Sequence, residues 1–486
     1  MIDIVKVDES FIKVNCEDDI ARELSSFFTF KVPNHEFTPA FRKKKWDGKI
    51  RLFNLAARTI YTGLLDYVQK FLDDRSYRYN TIQIEQGFSE ESVMSWLDNQ
   101  KIYSNKQELT PYDYQIEAVV NALSRKRILL ISPTGSGKSL IIYLILKFLL
   151  EHTEKKHLII VPTTGLVNQM YHDFADYCNK DPKFMQNIHI LFSGKEKSTR
   201  KRVVISTWQS IFRESDSFFK EFDSVFGDEC HLFKAKSLIS LIRKMKNTTF
   251  RIGTTGTLDN TQAHKLIIEG LFGRCYAVTT TRELIDDNVL SKLSIKTILL
   301  KHNTFPKKPK YAEEIDWLIS NQERNDFIAD LASKLKGNVL VLFNFVERHG
   351  IPLYNEIKKR NKKDVFQIHG KTDVDQRELI RNIVNKHDNS VLVASYGTCS
   401  TGINIKNIHA IIFASPSKSV VRVLQSIGRG LRKSETKDKV TVYDIGDDMR
   451  HLSYRNHTLR HMDERLAIYN KEKFNYTPLS VRLGEK

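Results

Sequence analysis

The sequence predicts an α/β protein: two parallel-sheet domains in tandem, preceded by a small α+β domain. Three observations carry this. From about Leu109 onward, short β-rich apolar runs alternate with helix-length amphipathic segments. Such alternation builds a parallel sheet with helices on both faces. The alternation pauses near Leu290 and then resumes, which makes a second sheet of the same kind.

Each element follows from its local pattern. In the first run, residues 128–131, 158–161, 203–206, 224–226 and 251–254 read as strands, with 138–152 and 164–177 as helices. In the second run the strands are 339–343, 365–368, 391–394, 411–414 and 440–443. Residues 18–28 read as a helix, with Ile20, Leu24 and Phe27 or Phe28 on one face. Residues 98–108 are dense in charge and turn formers and read as a linker. The tail from Arg450, rich in His and Arg, reads as helix that packs back on the body.

The chain of 486 residues is 41% hydrophobic and 28% charged, an ordinary globular balance. Lys and Arg total 76 against 58 acids, a net charge of +18 that suits a polyanionic partner. The five cysteines are widely spaced without a CxxC, so neither a disulfide framework nor a zinc site is expected and a reducing cytoplasm fits. The first residues place acids where a signal peptide needs a basic and then apolar run. The longest apolar stretch, near residues 140–150, is interrupted by Lys147 and too short to span a bilayer.

The sharpest local signal is Ser132-Pro133-Thr134-Gly135-Ser136-Gly137-Lys138-Ser139, between a strand and a helix. This is the context of a nucleotide-phosphate loop. Gly135 and Gly137 let backbone N–H groups curl around phosphate oxygens, and the helix start adds its positive dipole end. Lys138 would bridge the β- and γ-phosphates of ATP, and Ser139 would hold Mg2+. Ser132 stands where the pattern begins with Gly. A second acidic motif, Asp228-Glu229-Cys230-His231, follows the run 224–226. Asp228 at a strand end can hold magnesium through water, and Glu229 can polarise the attacking water.

With these motifs the chain resembles superfamily 2 helicases of the DEAD/DEAH-like kind, which implies two RecA-like domains. Pro111-Tyr112-Asp113-Tyr114-Gln115 resembles the family's adenine-reading motif. Val161-Pro162-Thr163-Thr164 and Ser206-Thr207-Trp208 resemble loops that touch the nucleic-acid backbone. Gly253-Thr254-Thr255-Gly256-Thr257 occupies the coupling motif, where many relatives have SAT or TAT. His369-Gly370 with Arg377, Ser400-Thr401-Gly402-Ile403-Asn404, and the segment from Gln425 through Arg429 to Arg432 resemble motifs of the second domain. The match covers about residues 109–447. It implies nucleotide contacts from Tyr112, Gln115, the phosphate loop and Gly402. It implies backbone contacts to nucleic acid from Pro162, Thr163, Thr207 and Thr401. Arg429 and Arg432 are expected to reach the γ-phosphate when the domains close.

Within this class the chain is similar to the UvsW helicases of T-even-like bacteriophages. Residues 37–42, 46–52 and 472–476 carry that likeness. It implies branch migration and unwinding of Holliday junctions, stalled forks, D-loops and R-loops, in recombination, repair and replication. It also implies 3′-to-5′ movement, single-stranded and duplex DNA and RNA–DNA hybrids as substrates, and single-strand-binding and recombination proteins as partners in a host cytoplasm. The rival readings are an RNA helicase and the motor subunit of a restriction-type complex. The domains expected are an accessory DNA-binding domain (1–100), an ATP-binding domain (101–288), a C-terminal RecA-like domain (289–448) and a helical extension (449–486). In the accessory domain, the stretch from Arg42 to Arg51 holds six basic residues and one acid, although residues 1–100 carry 14 basic and 16 acidic residues. Arg42, Lys43, Lys44 and Lys45 would meet phosphates, and Trp46 would stack on an unpaired base. The alternative is a solvated loop with Trp46 packed inward.

Overall fold

A computed structural model describes residues 1–484 except 34, 83–84, 193–197, 234, 259–260, 303–307, 403–404, 406, 417–418, 433–436 and 451–453. The side chains of 374, 400–402 and 420–422 also lie outside the described set. The chain forms two compact units, the first from Met1–Ser132 with Gly137–Val278 and the second including Thr279–Lys486.

The first unit begins with strands β1 (Ile2–Lys6) and β2 (Phe11–Asn15), paired antiparallel. A helix, Asp18–Phe27, follows and buries Ala21 and Leu24. A two-stranded ribbon, β3 (Thr29–Lys31) with β4 (Lys49–Arg51), comes next. Strands β5 (Thr59–Tyr61) and β6 (Tyr79–Asn80) complete a four-stranded sheet in the order β5-β2-β1-β6. Ile4, Val14 and Phe28 of this region share one apolar core with Leu129, Leu158 and Phe272 further along the chain. Polar contacts join the same surfaces. Arg127 pairs with Glu9 at 2.5 Å, Arg251 Nη2 donates to Ser10 Oγ at 2.9 Å, and Tyr67 Oη donates to Glu269 Oε2 at 2.8 Å.

The stretch expected as a linker is structured. It follows the helix Glu90–Asp98 and contains a hairpin, β7 (Tyr103–Ser104) with β8 (Gln107–Glu108). Ile102 within it and Leu97 just before it are buried, so apolar anchors hidden among charges tie the segment down.

The main sheet of the first unit has seven strands: β9 (Arg127–Ile131), β10 (Lys156–Val161), β11 (Ile188–Leu191), β12 (Val203–Thr207), β13 (Phe222–Gly227), β14 (Phe250–Thr255) and β15 (Cys275–Ala277). Their order is β11-β12-β10-β13-β14-β9-β15, and every pairing is parallel. The central strands are buried on both faces, which is why they read as continuous apolar runs.

The second unit repeats this plan. Its strands are β16 (Lys292–Lys301), β17 (Val339–Phe343), β18 (Asp364–Ile368), β19 (Ser390–Ser395), β20 (Ala410–Phe413), β21 (Lys439–Asp448) and β22 (Tyr476–Arg482). They lie in the order β18-β19-β17-β20-β21-β16-β22, again all parallel. Counted along the chain, the two sheets have one and the same strand order. The tail differs from the all-helical expectation. After the helix His457–Lys471 it ends in β22, which adds an edge strand beside β16. Pro478 and the exposed pattern of β22 hide it from sequence reading, and both are tolerated because it stands at an edge.

Candidate functional site

The phosphate loop leaves the C-terminal end of β9. Gly135 and Gly137 have φ of 90° and 85°, left-handed values that suit glycine, and the helix Lys138–His152 starts directly after. Ser132 N–H donates to Thr255 O at 2.9 Å, rooting the loop on β14. Lys138 Nζ donates to Ser132 O at 3.0 Å, across the loop it would serve. Ser136 Oγ donates to Pro133 O at 2.7 Å. A Cβ on Gly137 would lie 2.2 Å from Gln115 Nε2, so Gln115 closes on the loop. Gln115 is 4% exposed, and its Oε1 accepts the Tyr112 N–H at 3.0 Å. Tyr112 stays 47% exposed and stacks with Tyr114, centroids 5.5 Å apart.

The acidic motif follows β13, beside β14 in the sheet. Asp228 Oδ1 accepts a hydrogen bond from Thr254 Oγ1 at 2.8 Å. Burial, and then the neighbouring Glu229 charge, push the Asp228 carboxyl up to about 6, against the pull of Lys138. Glu229 adopts φ 53° and ψ 51°, a left-handed conformation uncommon for a residue with a Cβ. His231 Nδ1 lies 3.2 Å from Glu229 Oε2 and 3.1 Å from Thr255 Oγ1. Gly253 has no room for a side chain, because a Cβ would sit 2.8 Å from Cys230 Sγ and from Leu129. Phosphate loop, acidic motif and threonine pair therefore meet at the C-terminal ends of three adjacent strands, β13-β14-β9.

Ser139 and Asp228 offer hard oxygens, one of them a buried carboxylate. That set fits magnesium, which takes one or two carboxylates and fills its other positions with phosphates and water. Among the described residues no group of three or more His, Cys, Asp or Glu could hold a metal. Sequence reading missed Tyr177, whose hydroxyl lies 2.9 Å from Ser139 Oγ. It also missed the Thr254–Asp228 and His231–Thr255 contacts, since no local pattern signals a bond across 26 or 24 residues.

The expected nucleic-acid loops follow strands of the same sheet. Thr163 caps the helix Thr164–Tyr177, accepting the Leu166 N–H at 3.4 Å, and Pro162 O lies 3.5 Å from Gln209 Nε2. Thr207 is buried with its hydroxyl 2.9 Å from Ser210 Oγ. In the N-terminal region Arg42, Lys43, Lys44 and Lys45 are exposed at the tip of the β3–β4 ribbon. Trp46 is half-buried, with its indole N–H donating to Lys49 O at 2.8 Å. Phe37, which sequence reading placed only within the family likeness of residues 37–42, is 65% exposed with Arg42 5.9 Å over its ring.

In the second unit, Arg429 lies on the helix Val420–Gly430, and Arg432 just beyond it. Burial raises the Cys399 thiol and the Arg429 guanidinium opposes it, so Arg429 stands near the helix Tyr396–Gly402. That helix holds Thr401 and Gly402, whose side-chain environment lies outside the described residues, as do Ile403 and Asn404. Arg377 Nη2 donates to His369 O and Gly370 O at 3.2 and 2.8 Å.

Family models agree with this layout. One described as "DNA helicase UvsW, N-terminal" matches residues 2–82. One described as "Type III restriction enzyme, res subunit" matches 108–260, and "Helicase conserved C-terminal domain" matches 323–434. The DNA 3'-5' translocase XPB2 of Sulfurisphaera tokodaii is 23% identical over 368 residues, 68% of this chain and 80% of that protein. The crystal structure of T4 UvsW is 32% identical, with a TM-score of 0.53 over 99% of both chains. The ATP-dependent DNA helicase uvsW of Enterobacteria phage T4 is 34% identical over 500 residues. Because that identity runs through 98% of both chains, N-terminal region included, the chain belongs to the UvsW family of ATP-dependent DNA helicases.

Proposed function

We propose that this helicase uses ATP to unwind and branch-migrate branched DNA: Holliday junctions, stalled forks, D-loops and R-loops. The observation that carries the motor reading is the meeting of Lys138, Asp228 and Thr254 at three adjacent strand ends. Lys138 holds the β- and γ-phosphates within the backbone cradle of residues 133–137. Tyr112 and Gln115 take the adenine, and Gly402 is a further nucleotide contact. Ser139 and Asp228 would hold magnesium, which would supply neutralisation of phosphate charge. Glu229 aligns the attacking water, and Arg429 and Arg432 bring positive charge to the γ-phosphate. Thr254 and Thr255, bonded to Asp228 and His231, sense the state of the acidic motif.

Pro162, Thr163, Thr207 and Thr401 grip the DNA backbone, which positions a strand without reading its sequence. The working divisions are 1–100 for substrate choice, 101–288 and 289–448 for the motor, and 449–486 as an extension of the last sheet. Exposed Arg42, Lys43, Lys44 and Lys45 with half-buried Trp46 favour branch recognition by the first of these. The host cytoplasm is the proposed site of action. No helix among the described residues is long and apolar enough to cross a membrane.

The test is ATP hydrolysis and unwinding on a matched panel of single strand, duplex, fork, four-way junction and R-loop. Greater turnover-coupled unwinding of forks, junctions and R-loops than of linear duplex is expected. Equal action on all, or stimulation by RNA alone, would overturn the branched-DNA reading.

A further inference from the structure

The helix Tyr311–Ser320 and the helix His457–Lys471 carry a cluster that none of the helicase motifs uses. Strands β16 and β21 pair in parallel over their whole length, from Lys292↔Lys439 to Lys301↔Asp448. Their following loops therefore leave one edge of the sheet together. Glu314, fully buried, locks the two helices. Its Oε1 accepts from Thr458 N–H and Thr458 Oγ at 2.6 Å and from Asn456 Nδ2 at 2.9 Å, and its Oε2 accepts the His457 N–H at 2.8 Å.

On this platform Tyr311 is 46% exposed, its ring set against His457 and His461 at 5.7 and 5.5 Å. Beside it, Lys308 Nζ lies 4.7 Å over the Tyr454 ring. Arg460 lies 5.5 Å over the same ring and donates to Tyr454 Oη at 3.2 Å. Among the described residues neither Lys308 nor Arg460 pairs with a carboxylate. The nearby acids are engaged elsewhere: Glu313 with Lys310 N–H, Asp316 with Arg348, Asp463 with Arg455, and Asp448 with Arg450. Glu464, exposed one turn along the helix from Arg460, is the one further acid near it, and Lys308, Lys310 and Arg460 together leave the local balance positive beside the half-exposed Tyr311 ring.

We propose that this cluster is a second contact for single-stranded DNA, with an unpaired base stacking on Tyr311 and flanking phosphates held by Lys308 and Arg460. The proposal rests on the helicase reading above. Phosphate attraction plus a stacking ring is the combination that holds single strands without sequence preference. Leaning on Tyr454 pre-aligns both cations, so less rotamer freedom is lost on binding. The position also fits. All strands of the sheet are parallel, so the helix Tyr396–Gly402 after β19 leaves from the same edge. The cluster stands three to four strand spacings along it, roughly 14–19 Å at the usual interstrand distance. It thus extends the track of the Thr401 loop.

The experiment compares the full chain with Tyr311→Ala, Tyr311→Phe and the double variant Lys308→Ala/Arg460→Ala. The readout is fluorescence anisotropy on a labelled oligothymidylate and a blunt duplex, across a salt series. Tyr311→Ala should weaken single-strand binding about tenfold with little change in salt slope, and Tyr311→Phe should bind as wild type. The double variant should flatten the log–log salt slope on the single strand by about 1.4, the loss of two phosphate contacts. Wild-type affinity and slope in Tyr311→Ala and the double variant would overturn the proposal. So would an equal loss on blunt duplex for Tyr311→Ala, since a paired base has no free face. A wild-type chain whose ATP hydrolysis ignores DNA would instead overturn the helicase reading, through a separate readout.

Discussion

Buried carboxylates stand at the C-terminal ends of both sheets, after the fifth strand in the first and on the sixth in the second, but in opposite electrostatic states. Asp228, just after β13, has a threonine hydroxyl at 2.8 Å and a second acid beside it. Burial and Glu229 drive its carboxyl up to about 6. Asp447, near the end of β21, is as deeply buried, and burial alone would raise it too. Arg324 donates to it from Nε at 2.8 Å and Nη2 at 3.0 Å, and His302 Nε2 lies 2.9 Å away, so its carboxyl is held far below the usual range. Asp444 is likewise paired, with Arg465 at 2.8 Å and Tyr469 Oη at 2.8 Å. One fold therefore hosts two uses of a buried acid. Paired acids fix helices to the sheet: Asp444 holds the tail helix through Arg465 and Tyr469, and Asp447 holds the helix Gln322–Lys334 through Arg324. An under-compensated acid is a site waiting for positive charge.

The first strands differ in the same spirit. β9 and β16 hold the same place in their sheets. β9 is followed by a glycine-bearing loop that suits a nucleotide's phosphates, whereas β16 leads to Lys308 and Tyr311.

The contrast can be broken most severely at the nucleotide end. Lys138→Ala or Glu229→Gln should lower DNA-stimulated turnover by orders of magnitude while DNA binding is largely kept. Arg429→Ala should cost ~10³–10⁵ in rate, as for arginine fingers elsewhere, with ATP binding still measurable. Phosphate release beside nucleotide and DNA titrations reads all three, and near-normal turnover in any of them would remove that residue from the site.

Asp447→Asn should destabilise the protein by about 3–5 kcal/mol, because it strands Arg324 as a buried, unpaired charge. Denaturant unfolding of the second unit measures this. The contribution of Asp447 has a pH signature. Its folded pKa is depressed, so the stabilisation is present at neutral pH and is lost as pH falls below the ordinary aspartate value of 3.8.

Asp228→Asn should do the reverse, raising stability by about 2–3 kcal/mol while abolishing hydrolysis. The folded pKa of Asp228 is raised, so ionising it costs stability as pH climbs from the ordinary aspartate value of 3.8 through about 6. The advantage of the Asn variant should therefore vanish near pH 4. Without nucleotide, wild type should take up a proton at Asp228 as pH falls below about 6, which a proton titration of the free protein reads. An Asn variant no more stable than wild type at pH 7 would remove the contrast between the two acids.

The smallest effect belongs to the N-terminal patch. Replacing Arg42, Lys43, Lys44 and Lys45 with Ala should flatten the salt slope on duplex DNA by about 0.9 per lost contact and weaken fork and junction binding. Trp46→Ala should weaken binding with less change in slope. Unchanged junction affinity and slope in the four-Ala variant would make the patch a solvated surface.

Some of this was written in the sequence alone. The strand–loop–helix around Lys138 is contiguous, so glycine placement, apolar runs and helix start all lie within one short stretch, and the helices Lys138–His152 and Thr164–Tyr177 have the bounds their periodicity gives. The two parallel sheets were legible because strands buried on both faces must be apolar throughout. Tertiary structure alone decided the rest. The three-residue β15 and the polar edge strand β22 carry too little pattern to stand out. The N-terminal region shares its core with the first sheet because Ile4, Val14 and Phe28 join Leu129 and Phe272 in one apolar cluster, an assembly no window of sequence contains. Tyr177 reaches Ser139 across 38 residues, and Arg324 reaches Asp447 across 123. Local pattern records which faces of an element are apolar. It does not record which distant side chain will stand beside a buried charge, and that neighbour separates the paired Asp447 from the poised Asp228.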